Sequence, residues 1–235
     1  LYHHANQSRD RAGRVTFFRP ILAGATLLER MIACAGAFVA VALTAAAGFA
    51  LSLHAPLLAA PIGASAVLVF AVPASPMAQP WPVIGGNTIS AFVGLGVAWA
   101  IPDATIAAAC AVALAIAVMS LARCLHPPGG AVALTVALGS PVVAKWGALF
   151  PLVPVGLNSL SLVALGIAFH ALSGRSYPHR GDAAAPAVPE AAFSASDIDE
   201  ALVQMGETLD ISRSDLDRLL HYAESNAARR QASLS

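Results

Sequence analysis

Between Ile21 and Gly174 the chain carries only five charged residues: Glu29, Arg30, Asp103, Arg123 and Lys145. A soluble domain is about one quarter charged, so a stretch this poor in charge has to meet lipid over most of its surface. In lipid every backbone amide and carbonyl must be satisfied within the structure, which leaves helices or a closed barrel. The apolar runs here are long and continuous rather than alternating, which selects helices. The expected fold class is therefore all-α, a polytopic membrane helical bundle. From Arg175 onward there are sixteen charged residues, ten of them acidic, so a soluble tail follows. The chain divides into an N-terminal segment (1–20), a transmembrane domain (21–174), a linker (175–192) and a cytoplasmic helical tail (193–235).

A bilayer span takes about 20 apolar residues. Residues 31–53, 83–101 and 104–122 qualify; 146–172 is longer than needed and is expected to kink or shorten at Pro151 and Pro154. Residues 57–72 and 129–139 are marginal, either short spans or re-entrant helices. Arg9, Arg11, Arg14, Arg19 and Arg30 precede the first span, and Arg175 and Arg180 follow the last. The positive-inside bias puts both termini in the cytoplasm of a multi-pass protein of the bacterial inner membrane. Six crossings satisfy that arrangement and are preferred; four crossings with two re-entrant segments satisfy it too. The first apolar run is too long and too late for a secretory signal peptide.

Two proline- and glycine-containing breaks interrupt the apolar sequence: Pro61-Ile62-Gly63-Ala64-Ser65 and Arg123-Cys124-Leu125-His126-Pro127-Pro128-Gly129-Gly130-Ala131. They are echoes of each other. Pro61, Gly63, Leu68 and Ala71 recur 66 positions later as Pro127, Gly129, Leu134 and Ala137, and Ser75-Pro76 and Trp81 recur at an offset of 65 as Ser140-Pro141 and Trp146. Gly86-Asn87-Thr88 is loosely answered by Gly156-Leu157-Asn158-Ser159. Each half reads as long helix, break, short helix, Ser-Pro turn, long helix. With three crossings per half this is an inverted 3+3 repeat; chance likeness of Ala-, Gly- and Val-rich sequences is the alternative.

A helix N-terminus carries unpaired amides and about half a positive charge, which suits an anion. Gly63, Ala64 and Ser65, and Gly129, Gly130 and Ala131, each open a short helix with side chains small enough for close approach. On this reading the prolines stop one helix and the glycines start the next. Arg123 and His126 would add positive potential at one mouth, and Ser65, Asn87, Thr135, Asn158 and Ser159 neutral hydrogen bonds. The bland readings are close helix packing for the glycines, snorkelling for Arg123, helix capping for His126 and interhelical glue for the amides. Trp81, Trp99 and Trp146 read as interfacial anchors, His170 and Tyr177 as boundary residues. Cys34, Cys110 and Cys124 have no metal or redox spacing and read as small buried residues. No paired nucleophile and base is evident, so the chain is read as no enzyme, with no cofactor; it lacks the basic patches of a nucleic-acid binder.

In the tail, one amphipathic helix should start near Ser194 or Ser196 and end around Gly206. A second should start at Ser212 with Asp215 in the capping-box position and run out at Arg229-Arg230. Helices this short need a partner surface, supplied by each other, the membrane domain, a second copy or a further domain.

At His126-Pro127-Pro128 the chain resembles the HPP family of integral membrane proteins, named for that tripeptide. Residues 60–70, 73–80 and 83–87 are similar to further blocks of that family, and the likeness runs over about residues 22–178. It implies transport of a small anion, since members are described as nitrite transporters of cyanobacteria and chloroplasts. Bacterial members often continue into paired CBS modules, and residues 193–230 resemble the helical lead-in to them. Asn87 stands where the family leads one to expect histidine, and Gly129 or Gly130 where alanine is expected. The function expected is a transporter or channel for a small monovalent anion, nitrite first, held at the two short-helix N-termini and working as a homo-oligomer, a dimer for preference. The alternative is a membrane-embedded sensor or scaffold that presents cytoplasmic modules without net transport.

Overall fold

The computed structural model describes residues 26–50, 61–180, 194–206 and 208–233. All regular structure among them is helical. The four N-terminal arginines before Arg30 lie outside the described residues. The transmembrane elements are α1 (Leu27–Ala50), α2 (Ile62–Ala71), α3 (Asn87–Ala100), α4 (Ala104–Leu121), α5 (Pro127–Leu138), α6 (Pro141–Trp146) and α7 (Leu157–Leu172). Helices α3 and α7 are each entered through a π-helical turn, Pro82–Gly86 and Pro151–Gly156. The expected kink at Pro151 and Pro154 thus takes the form of a widened first turn, where a missing N–H costs least.

Four helical stretches among the described residues are long and apolar enough to cross a bilayer: Leu27–Ala46, Pro82–Ala100, Ala104–Leu121 and Pro151–Leu172. Helices α5 and α6 form a pair bent by 76°, a broken span or re-entrant loop. Helix α2, ten residues long, covers about 15 Å at 1.5 Å per residue, half of a hydrocarbon core. Each of the six expected apolar segments contains a helix, but among the described residues only four, or five with the bent pair, are long enough to cross.

Contacts at the helix ends establish the direction of each element. Glu29 at the start of α1 pairs with Arg175 beyond the end of α7 at 2.8 Å, and Arg30 donates to the Ala71 carbonyl at the end of α2 at 2.9 Å. Trp81, before α3, donates to the Ala122 carbonyl at the end of α4, and Tyr177 donates to Ala78. His126, which begins α5, contacts the Met77 carbonyl on the same side. So α1, α3 and α5 start on this face, and α2, α4 and α7 end there. Corresponding elements α1 and α4, α2 and α5, α3 and α7 run in opposite directions, as an inverted repeat requires.

The third helix of each half crosses over. Helix α3 packs on α4 and α5 of the second half, and α7 on α1 and α2 of the first. One core therefore joins Ala33, Ala40, Ala66, Val69, Phe70 and Leu162; another joins Val97, Ala111, Ala115, Met119 and Ala133. Glycines set the spacing. A Cβ on Gly94 would stand 2.7 Å from the Ala133 carbonyl, and one on Gly166 2.6 Å from Val69, so backbones approach as small residues permit in membranes.

Helix α4 ends in a Schellman arrangement, with Cys124 N–H on the Met119 carbonyl and Arg123 N–H on Ser120. Arg123 occupies the left-handed position at φ 54°. Pro127 and Pro128 are the first two residues of α5, with His126 as its N-cap. The prolines start a helix rather than stop one. Cys34 sits on the outward face of α1, contrary to the burial expected; Cys124 is buried.

Arg175 to Arg180, expected to open the linker, is instead packed on the bundle: Tyr177 is buried and the His179 N–H donates to Gln79. Residues 181–193 lie outside the described residues. Tail helix α8 (Ala195–Met205) has the Ser194–Asp197 capping box and ends at left-handed Gly206; α9 (Arg213–Ala232) is capped by Ser212. Both starts fall where expected, and α9 runs slightly past Arg229-Arg230. The tail docks on the 75–79 turn. Ser75 donates to Asp210 at 2.8 Å, and His179 meets both Asp215 oxygens at 2.9 Å. Burial alone would raise the Asp215 carboxyl, but Ser212, His179 and Arg218 together hold it below the usual carboxylate range.

Candidate functional site

Where the two cores meet, a layer of fully buried polar side chains crosses the bundle. Ser65 lies on α2, Asn87 and Ser90 on α3, His126 at the start of α5, and Asn158 and Ser159 on α7, each no more than 1% exposed. The residues come together because the Pro-Gly breaks and π-helical turns interrupt helices at this depth, so short polar side chains sit at helix starts.

The layer is wired through His126. Its Nδ1 is 2.8 Å from the Met77 carbonyl, and its Nε2 2.8 Å from the Ser65 hydroxyl. Asn87 Nδ2 is 3.1 Å from the oxygens of both Ser65 and Ser159. Four helices and the Met77 turn are tied by these bonds. Against that order, Asn87 Oδ1, Thr88 Oγ1, Ser90 Oγ and Asn158 Nδ2 are buried with no protein partner. A buried unpaired polar group costs about 1–3 kcal/mol, and natural cores hold few. Four in adjoining turns of α3 and α7 mark a site arranged for something other than stability.

The glycines hold this layer closed. A Cβ on Gly86 would lie 2.6 Å from the His126 Cβ and 2.7 Å from the Cys124 carbonyl; one on Gly129 would lie 2.7 Å from Ser90 Oγ and 3.0 Å from the Gly86 carbonyl. Gly129 is thus a packing surface for α3. Its N–H is already given to the His126 carbonyl at 2.8 Å, and Pro127 and Pro128 have no N–H to offer. The start of α5 therefore lacks the set of free amides on which the anion reading of Gly129 and Gly130 rested.

The expected site residues separate into two groups. Ser65, Asn87, His126 and Ser159 are joined by hydrogen bonds, with Asn158 and Gly129 buried beside the same helices. Gly63 faces outward at the groove between α1 and α2, and Ala64 on α2 and Ala131 on α5 are exposed. Gly130 lies against Val112, and the Thr135 hydroxyl is bonded to the Ala131 carbonyl of its own helix. Arg123 is exposed, which takes its charge away from the buried layer. Sequence reasoning missed Ser90, and gave Thr88 only as part of the echo between the halves. Ser90 follows Asn87 by one helical turn, a spacing that places both on one face and could have found it. The Met77 carbonyl has no sequence signal.

A helical bundle of inverted halves with a polar layer at their junction defines a multi-pass integral membrane protein. The transmembrane-region model of the HPP family matches residues 23–178, and the chain belongs to that family. It is similar to two Dictyostelium discoideum proteins named only as transmembrane proteins. One is 40% identical over 121 residues, covering 49% of this chain and 42% of that protein. The other is 36% identical over 121 residues, covering 49% and 38%. The chain thus spans about two fifths of the length of these relatives. No solved structure matches.

Proposed function

We propose that this protein moves a small monovalent anion across the membrane through the polar layer between its two inverted halves. The observation that carries the reading is the group of unpartnered buried polar atoms on α3 and α7. The Asn158 amide and the Ser90 and Thr88 hydroxyls are donors suited to an oxyanion. They are neutral, so they would bind weakly enough to let the solute leave, as conduction requires. Support comes also from the inverted repeat, whose junction is where such folds place solute. Nitrite is the first probe, on the strength of the HPP resemblance alone. The arginine bias puts both termini in the cytoplasm, and a dimer is the oligomer proposed.

Uptake into proteoliposomes tests this reading. Nitrite, nitrate or formate should enter faster than into protein-free vesicles; entry of none of them above that background refutes transport. One observation favours the second reading, a sensor or scaffold: the tail is bonded to the 75–79 turn, the same turn whose Met77 carbonyl holds His126. That reading expects ligand-dependent movement of the tail without flux.

A further inference from the structure

The hydrogen-bond chain at His126 has a single solution for its hydrogens. The Met77 carbonyl can only accept, so Nδ1 carries the hydrogen of a neutral ring and Nε2 is a lone pair. Ser65 must then donate to Nε2, and its oxygen is left to accept from the Asn87 amide nitrogen. The second amide hydrogen goes to Ser159. This fixes the Asn87 amide with its oxygen turned to the unpartnered position. An acceptor there repels an anion.

A proton on Nε2 reverses each link. Both ring nitrogens now donate, so Ser65 accepts from His126 and its own hydrogen needs another acceptor. Turning the Asn87 amide by half a revolution supplies one, its Oδ1, at little steric cost because amide oxygen and nitrogen are nearly the same size. Ser159 can donate to the same oxygen, since a hydroxyl does either. The amide NH2 then occupies the position its oxygen held. The unpartnered group changes from acceptor to donor, and the site gains the positive charge that a buried anion needs. The groups that meet His126 among the described residues are neutral: the Ser65 hydroxyl on α2, the Met77 carbonyl and the Gly86 backbone before α3, with the Asn87 amide one hydrogen bond further on. The charge of Arg123 is outside, on an exposed side chain.

We propose that His126, Ser65 and Asn87 form a proton-operated switch, so that the polar layer takes up one anion together with one proton, held at His126 Nε2. This rests on the transport reading and specifies its coupling. Proton and anion enter from one side and leave on the other, and no net charge crosses.

The test uses the full chain in vesicles with nitrite as probe, compared with protein-free vesicles to remove passive entry of the conjugate acid. One pH unit, alkaline inside, should drive initial uptake well above the protein-free rate. The final ratio of about tenfold is common to both, because passive entry of the conjugate acid reaches it too, so the rate is the readout. A potassium diffusion potential at equal pH should drive no accumulation, and a dye in the lumen should report one proton per anion. Uptake that follows the potential and ignores the pH difference overturns the switch while leaving transport intact. Ser65→Ala should lose the pH-driven gain in initial rate over protein-free vesicles and Ser65→Thr retain it; a Ser65→Ala protein whose initial rate still shows that gain also overturns the switch. If nitrite, nitrate and formate all fail to enter, the transport reading itself falls, and the coupling with it.

Discussion

Gly86→Ala sets the packing account against its simplest control. The added Cβ would stand 2.6 Å from the Cβ of His126 and 2.7 Å from the Cys124 carbonyl. One neighbour is backbone and the other is bonded directly to it, so neither can rotate aside. Carbon contacts settle near 3.5–4.0 Å, so α3 and the start of α5 must part by about 1 Å. The Ser65–His126 bond, now 2.8 Å, would stretch well beyond the normal hydrogen-bond range. Overpacking of this kind costs about 1–3 kcal/mol. Replacing a helical glycine also gains up to about 1 kcal/mol of conformational entropy, and Gly96 isolates that gain. It lies on α3, whose N-cap is Gly86, and a Cβ added there would meet nothing within 4 Å. The entropy term is common to both variants, so their difference reads the clash alone. Melting in detergent should place Gly86→Ala below Gly96→Ala by roughly 2–12 °C, at about 2–4 °C per kcal/mol for a chain of this size. Nitrite uptake should fall in the first variant only. Equal melting temperatures would refute the close approach of α3 to α5.

Three further outcomes follow from separate parts of the molecule. Arg123→Gly should raise stability by about 1 kcal/mol, because the left-handed position at φ 54° favours glycine, and should leave uptake unchanged; lost uptake would put the Arg123 charge back in the path. Asn158→Leu removes a buried unpartnered amide donor, so it should melt higher by about 1–3 kcal/mol yet transport nothing, whereas a destabilised variant would indicate a structural bond at that side chain. The depressed Asp215 carboxyl stabilises the docked tail above the usual carboxylate range, and that contribution disappears as pH falls through its lowered folded value. Hydrogen exchange should therefore find α9 protected at neutral pH and opened in strong acid, with Asp215→Asn already more open at pH 7.

Most of the helix boundaries are legible in the sequence because each has a local cause. Ser194, Ser212 and Gly206 cap helices through their own side chains or backbone freedom. Asp103, whose carboxylate accepts the Ile106 N–H, does the same for α4. The Pro127-Pro128 pair misleads, since prolines end a helix when inside it and begin one when in its first turn. The site is legible only in part. Asn87, Asn158, Ser65 and His126 stand out as polar residues in an apolar run. Gly63, Ala64 and Ala131 are equally small and equally near a break, but they turn outward, and facing is decided by the packing of α2 against α1 and of α5 against α3.

By itself the sequence determined that this chain enters a membrane, that it does so as helices, and that its two halves echo one another. Those properties depend on transfer of apolar side chains into lipid and on backbone hydrogen bonding, both of which act residue by residue. Tertiary structure decided which polar side chains meet. Helices α3 and α7 exchange halves, and that crossing brings Ser65, Asn87, His126 and Ser159, scattered over 95 positions, within hydrogen-bond distance. It also decided that Arg123 stays outside, and that a backbone carbonyl at Met77 orients the ring of His126. Contacts of that range have no local signature, because the chain between them carries no information about where its ends are held.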